Sequence, residues 1–239
     1  MITRISIFGA GRVGSALYDL FKSHHLNVRL ISSRPGLAYD FAKSNLTDSD
    51  LVFITCPSAV IGQLSSNLAS TNAMFVHCSG GDNLDLLVPE KRGVFYPLQS
   101  FSGQTIDWSS IPIFIQGNKD VEIELVKLAK ACNLKYKISS DDERAKAHLA
   151  AVFANNFTNA MLHASKEVLG ELPLEYLLPL IKETMNKAIT GVPIENQTGP
   201  AIRGDESVIA KHLKMLEDLP LESEIYKLMT EYIKGFNAP

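Results

Sequence analysis

Apolar residues fall into short blocks in the first half of the chain and into helical spacing in the second. Ile5–Phe8, Val28–Ser32, Leu51–Thr55, Met74–Cys78, Val94–Tyr96 and Ile111–Gln116 are runs rich in β-branched and aromatic residues. They are bounded by Gly, Pro, Ser or Asn, which predicts strands. Between them, Val13–Ser23, Val60–Leu68 and Val121–Cys132 repeat their apolar positions every three or four residues, which predicts helices. Strands alternating with helices predict an α/β fold with a mostly parallel sheet covered on its faces. Ile31 to Leu51 leaves room for one short helix, so the third strand usual in the first half of such sheets is expected to be short or missing.

The pattern changes near Ser139. Ser140-Asp141-Asp142-Glu143 reads as a capping box, and a helical pattern runs on to about Gly170. At about 1.5 Å per residue that is a rod on the order of 40 Å long. Further helices are expected near Leu174–Thr190, Ser207–Leu216 and Glu222–Phe236, and no strand after Ile138. The chain therefore divides into an α/β domain over 1–139 and an all-α C-terminal domain over 140–239.

Composition narrows the class. With 239 residues, 46% hydrophobic and 21% charged, there is ample material for a globular enzyme's core. A net charge of −3 argues against nucleic acid as a partner. No apolar run reaches the roughly 18 residues of a membrane span, and nothing at Met1-Ile2-Thr3-Arg4 suggests a signal peptide. Three cysteines without a close pair (Cys56, Cys78, Cys132) fit a reducing cytoplasm and give neither a disulfide framework nor a metal site.

The candidate chemistry begins at the first predicted strand–helix turn. Gly9-Ala10-Gly11-Arg12-Val13-Gly14 is a G-x-G-x-x-G run in the position of a Rossmann dinucleotide loop. Gly9 makes the tight turn, Gly11 admits the pyrophosphate close to the backbone, and Gly14 lets helix and strand pack closely. The pyrophosphate would lie on the helix N-terminus. An NAD-binding chain places an acid about 20 residues later for the ribose 2′-hydroxyl. Here the second strand ends in Ser32-Ser33-Arg34, two hydroxyls and a guanidinium that suits a 2′-phosphate, so NADP is the expected cofactor. Arg12 adds a second cation.

The other predicted strand ends, Thr55-Cys56-Pro57-Ser58 and His77-Cys78-Ser79-Gly80-Gly81, carry small residues past which the nicotinamide ribose can run. Cys56 and Pro57 line that path and Ser79 can hydrogen-bond it; ordinary turn chemistry is the competing reading for Ser79 and His77. On the long helix, a count of about 100° per residue puts Arg144, His148, Asn155 and Asn159 on one stripe, with Asn156 on its shoulder. A solvated face would favour Lys and Glu, so this stripe reads as a cleft wall. His148 is the proton-donor candidate, since an imidazole exchanges protons near neutrality. Lys146 is its rival, and a structural histidine the alternative. In Thr198-Gly199-Pro200-Ala201-Ile202-Arg203-Gly204-Asp205, Arg203 either clamps a substrate carboxylate or ties the loop down with Asp205.

Taken together, Gly9–Gly14, His77–Gly80, Tyr96-Pro97-Leu98-Gln99-Ser100-Phe101, His148–Asn156 and Thr198–Asp205 with His212 resemble a family of two-domain proteins. Its members join an NADP-binding Rossmann-like domain to a C-terminal helical domain of unknown function. The family is related to pyrroline-5-carboxylate reductase and the 6-phosphogluconate dehydrogenase-like enzymes, and includes alternative ketopantoate reductases of pantothenate synthesis. The resemblance implies an NADPH-dependent reductase, often dimeric through its helical domain, with ketopantoate as the sharpest substrate expectation. The residues themselves make His148 the expected proton donor, with Asn155 or Asn156 orienting the substrate and Arg203 holding its carboxylate. Two departures stand out. Tyr96 occupies a position where many relatives carry histidine, and the Lys-x-x-x-Asn pair of the β-hydroxyacid dehydrogenases is absent, with Ala150 four residues after Lys146. The alternatives are an imine reductase and a non-catalytic NADP-binding sensor.

Overall fold

A computed structural model describes residues 2–31, 48–68, 71–102 and 106–237. It divides the chain into two compact units, Met1–Asn155 and Asn156–Pro239. The first unit is built on a seven-stranded sheet of β1 (Ile5–Phe8), β2 (Val28–Ile31), β3 (Leu51–Ile54), β4 (Met74–His77), β5 (Arg92–Pro97), β6 (Pro112–Gly117) and β7 (Lys135–Ile138). Its order is β2-β1-β3-β4-β5-β6-β7. All neighbours are parallel except β5 and β6, which pair antiparallel with Tyr96 opposite Phe114. The sheet is the Rossmann-type, mostly parallel one that the alternation predicts. Strand β7 was not among the predicted strands: Lys-Tyr-Lys-Ile at an edge is half polar and lacks the apolar run by which the others announce themselves.

Helices α1 (Arg12–Ser23), α2 (Ser58–Leu68) and α3 (Lys119–Ala131) flank the sheet. Every residue of β3 is buried, and alternate side chains serve opposite faces. Leu51 and Phe53 join Leu17, Phe21, Phe95 and Leu125 under α1 and α3, while Val52 and Ile54 join Phe8, Ile61, Leu64 and Phe75 under α2. A strand buried on both faces has no polar alternation, and this is why β3 reads as an unbroken apolar run. Phe53 sits between Phe21 and Phe95 at ring separations of 5.4 and 5.6 Å.

A smaller apolar cluster of Val94, Tyr96 and Phe114 lies on β5 and β6, with Ala147 of α4 (Asp141–Ala151) packed against it. The capping box that opens α4 forms as expected: Glu143 N–H donates to the Ser140 hydroxyl at 3.2 Å, and Ser140 N–H to the Glu143 carboxylate at 3.0 Å. The long helical run forms as expected from Asp141 to Leu169 and ends at Gly170, but it is not α-helical throughout. Val152–Phe157 is a π-helical stretch, and α5 (Thr158–Leu169) follows it. The division between the two units falls inside this stretch.

The second unit is helical, with α5, α6 (Leu178–Thr190), the short α7 (Pro200–Arg203), α8 (Glu206–Met215) and α9 (Pro220–Lys234), and 3-10 turns lead into α6 and precede α7. No strand occurs among its described residues. No helix among the described residues is long and apolar enough to cross a membrane.

Candidate active site

The glycine loop has the shape its sequence requires. Gly9 holds φ at +115°, a conformation open to glycine and strained for other residues. A Cβ on Gly14 would come within 1.8 Å of the Gly9 carbonyl oxygen and 2.6 Å of Thr55 Oγ1, so only glycine lets α1 pack this closely. Thr55, at the end of β3, donates its hydroxyl to the Gly9 carbonyl at 2.7 Å and so fixes the turn from below. Gly11 differs from both. A Cβ there would meet nothing within 4 Å, and its backbone is extended at φ −77° and ψ −173°.

That open space lies where α1 begins. The first-turn N–H groups of a helix have no acceptor within the helix, and no acidic residue stands in the first turn of α1 to occupy them. Ala10, Gly11 and Arg12 are exposed and Val13 half-buried. Open space, free donors, the positive end of a helix and a nearby guanidinium fit a pyrophosphate. Ser32, Ser33 and Arg34, the expected 2′-phosphate site, lie outside the described residues. Cys56 is half-buried, with Sγ 3.6 Å from the Phe8 carbonyl, and Pro57 is exposed at the head of α2.

Beyond β4, Ser79 N–H donates to His77 Nδ1 at 3.1 Å and the Ser79 hydroxyl accepts from Asp82 N–H at 3.2 Å. Both residues therefore shape the turn. Ser58 donates to the Asp82 carboxylate and so ties α2 to the same turn. Burial pushes the Asp82 carboxyl up, but hydrogen bonds from Ser58 and Ser79 and the nearby charges outweigh it and hold the group below its ordinary value. His77 is fully buried. Burial, aided by the Arg144 charge, pulls its pKa down to about 4, which leaves it neutral at physiological pH.

His148 meets a partner that the sequence did not assign to it. Its Nδ1 lies 3.0 Å from the Tyr96 hydroxyl, and the two rings stand edge to face at 5.9 Å. Gly80 closes the third side, where a Cβ would lie 2.6 Å from Tyr96 Cζ and 2.8 Å from His148 Cγ. Burial pushes the Tyr96 hydroxyl up, against the Arg144 charge, so it stays protonated at neutral pH. His148 itself is exposed, which leaves this buried donor and an accessible imidazole joined at the carboxyl end of the sheet. Sequence reasoning left Tyr96 without a role and placed Thr55 and Gly80 only among the small residues at the strand ends.

Arg144, predicted to share a cleft wall with His148, is instead buried to 1% exposure. It donates to Gln116 Oε1 and to the Asp82 carbonyl, and pairs with Asp141 at 2.6 Å. The stripe does not carry through to Asn155, Asn156 and Asn159 either. The π-helical stretch turns more slowly than an α-helix, so a count of about 100° per residue loses phase there. Asn155 and Asn156 are both exposed within it.

In the second unit, Gly199 and Gly204 hold φ at +106° and +67° and bracket α7, on which Arg203 is exposed. Asp205 caps α8, accepting from Val208 N–H at 3.2 Å and from the Ser207 hydroxyl at 3.0 Å, so its part in the loop is structural. His212 Nδ1 meets the Tyr226 hydroxyl at 2.8 Å and joins α8 to α9.

Residues 111–233, just over half of the chain, match the family model described as a domain of unknown function, DUF2520. The chain belongs to this family. A solved structure from Bacteroides fragilis, provisionally named an NADP oxidoreductase, is 30% identical to this DUF2520 chain. It superposes with a TM-score of 0.85 over 98% of both chains. Two more distant structures share the fold. One is a 1-pyrroline-5-carboxylate reductase from Streptococcus pyogenes, at 14% identity and TM-score 0.55 over 97% of this chain and 98% of that one. The other is a reductive aminase from Aspergillus terreus, solved with NADPH and ethyl levulinate, at 13% identity and TM-score 0.66 over 98% and 96%. Curated proteins give no match.

Proposed function

We propose that this protein reduces a small substrate with NADPH and that Tyr96 and His148 deliver the proton. The chain is an NADP-dependent oxidoreductase of the Rossmann type, in keeping with its full-length likeness to the Bacteroides protein and with the glycine loop. Bound NADPH supplies a hydride. The Gly9–Gly14 turn and the head of α1 hold the pyrophosphate, and small residues at Cys56, Pro57 and Ser79 leave the path to the nicotinamide clear.

The observation that carries the chemistry is the contact between Tyr96 and His148. When a C=N or C=O bond accepts hydride at carbon, its nitrogen or oxygen must gain a proton, and a positioned acid accelerates this step by about 10²–10⁴. With Tyr96 donating to Nδ1, the proton of neutral His148 sits on Nε2, away from the tyrosine. Protonated at both nitrogens, the imidazole releases a proton to the substrate heteroatom and regains one from water. Asn155 and Asn156 are candidates to orient the substrate and Arg203 to hold its carboxylate.

A small imine is the substrate we place first, since the imine-reducing enzymes above share the fold and a neutral imine needs an acid before it accepts hydride. A 2-keto acid is the second reading, supported by the exposed Arg203 and by the family resemblance; ketopantoate finds no support among the structural relatives. The second unit exposes Tyr176, Leu180, Ile189, Leu228 and Tyr232, apolar side chains that suit association of two copies through the helical half. Tyr96→Phe and His148→Ala are expected to lower kcat by about 10²–10⁴ while NADPH still binds. Full turnover in both variants, at unchanged NADPH affinity, excludes this pair as the proton source.

A further inference from the structure

The helix that carries His148 turns an unusual face to the sheet. Its inward positions are Asp141, Arg144 and Ala147, and only the last belongs to an apolar cluster. Arg144 is the largest side chain among the fully buried residues, and its charge is felt at both the Tyr96 hydroxyl and the His77 ring. Taking a guanidinium out of water is expensive, and a buried ion pair is poor evidence of added stability. The compensation here is also incomplete. Asp141 keeps 31% of its side chain exposed, the other two acceptors are neutral, and Arg144 Nε has no hydrogen-bond partner among the described residues.

What the guanidinium gains is geometry. Its three acceptors come from three places: Gln116 near the end of β6, the Asp82 carbonyl in the turn after β4, and Asp141 on its own helix. A planar fork satisfies three directions at once, and a lysine ammonium on a flexible stem does not. His148 stands four residues further on, about 6 Å along the helix axis. Gly80, two residues before Asp82, touches both His148 and Tyr96 with no room for even a methyl group. Arg144 therefore grips one end of the Gly80–Asp82 segment while the Tyr96–His148 pair rests on the other.

We infer that Arg144, braced by Gln116, is a positioning residue that sets the spacing of the Tyr96–His148 pair. The inference rests on the reading of that pair as the proton source. It assigns Arg144 and Gln116 no contact with substrate or cofactor. They hold α4 at the one distance from β5 and the Gly80 turn at which the Tyr96 hydroxyl meets Nδ1. Reacting groups displaced by about 1 Å lose on the order of 10²-fold in rate. The held spacing is therefore expected to appear in kcat and hardly at all in NADPH binding.

The test uses the whole chain and two substitutions of different severity. Arg144→Lys keeps the charge but not the fork, and Gln116→Leu removes a single acceptor. The first readout needs no substrate. Nitrogen-15 NMR of the six histidines, with His148 assigned by His148→Gln, reports the hydrogen bond at Nδ1. Tyr96→Phe should move that resonance, and both test substitutions should move it in the same direction. The second readout is kcat per bound NADPH, with 1-pyrroline-5-carboxylate and pyruvate as substrates. It is expected to fall about 10- to 100-fold while NADPH affinity stays within about twofold. An unmoved His148 resonance in both variants overturns the inference, as does a rate loss that only tracks the loss of NADPH-binding sites. If Tyr96→Phe itself leaves the resonance unmoved, the hydrogen bond is absent in solution and the reading of the pair falls first.

Discussion

Substituting the three glycines of the loop separates what the fold needs from what a ligand needs. In Gly14→Ala the new methyl would lie 1.8 Å from a backbone oxygen and 2.6 Å from Thr55 Oγ1. Neither can move without shifting β1 or β3, so the cost is that of overpacking, about 1–3 kcal/mol. For a unit of this size that lowers Tm by about 3–10 °C. In Gly11→Ala the methyl meets nothing, and the backbone is already in a conformation that alanine adopts freely. Reduced chain entropy favours the variant by about 0.4–1 kcal/mol, which the poorer helix cap of alanine offsets, so Tm should stay near that of the wild type. The methyl does, however, fill the space assigned to the pyrophosphate. Losing one or two charge-assisted hydrogen bonds costs about 2–4 kcal/mol, or ~30- to 1,000-fold in Kd. Thermal melts and NADPH fluorescence titrations of the two variants decide the matter. Wild-type NADPH affinity in Gly11→Ala would refute the cradle, and a melt as low as that of Gly14→Ala would refute the claim that the space is open.

Three further outcomes follow from the same site. Gly80→Ala drives a methyl into Tyr96 and His148, and is expected to lower kcat at least tenfold with NADPH affinity unchanged; wild-type kcat would show that the pair does not depend on that contact. His77 is held neutral with its pKa near 4, whereas in the unfolded chain it takes up a proton below about 6.5. Between these values the unfolded state binds more protons, so stability falls as pH drops, by about 3 kcal/mol from this residue at pH 4. Urea midpoints from pH 7 to 4 should therefore show a shallower slope in His77→Gln, and equal slopes would mean that His77 titrates freely. Arg34→Asp is expected to weaken NADPH binding by about 1–3 kcal/mol and spare NADH, and equal loss for both cofactors would remove Arg34 from the 2′-phosphate site.

Six of the seven described strands and the loop were legible because local rules determine them. Unbroken apolar runs mark strands buried on both faces, and a turn of Gly9, Gly11 and Gly14 between strand and helix has few other uses. What sequence spacing missed depends on contacts between distant segments. Tyr96 and His148 are 52 residues apart, and only the antiparallel β5–β6 turn-back and the docking of α4 bring them together. Arg144 reads as part of a polar cleft wall because periodicity cannot tell an arginine that faces a cleft from one buried against Gln116, the Asp82 carbonyl and Asp141. The asparagines were placed on that stripe by assuming an unbroken α-helix, and nothing in Val152–Phe157 announces the π-helical stretch. A capping box, by contrast, involves four consecutive residues, and Ser140 to Glu143 formed it as read.

The central claim is that the chain transfers hydride from NADPH to a small C=N or C=O substrate. It is tested most directly by following NADPH absorbance at 340 nm with purified protein and a panel of cyclic imines and 2-keto acids that includes 1-pyrroline-5-carboxylate and ketopantoate. The account predicts substrate-dependent loss of NADPH, matched mole for mole by reduced product and slowed about 10²–10⁴-fold in His148→Ala. Tight NADPH binding with no oxidation by any member of the panel would contradict it, and would make the chain a cofactor-binding protein without this chemistry.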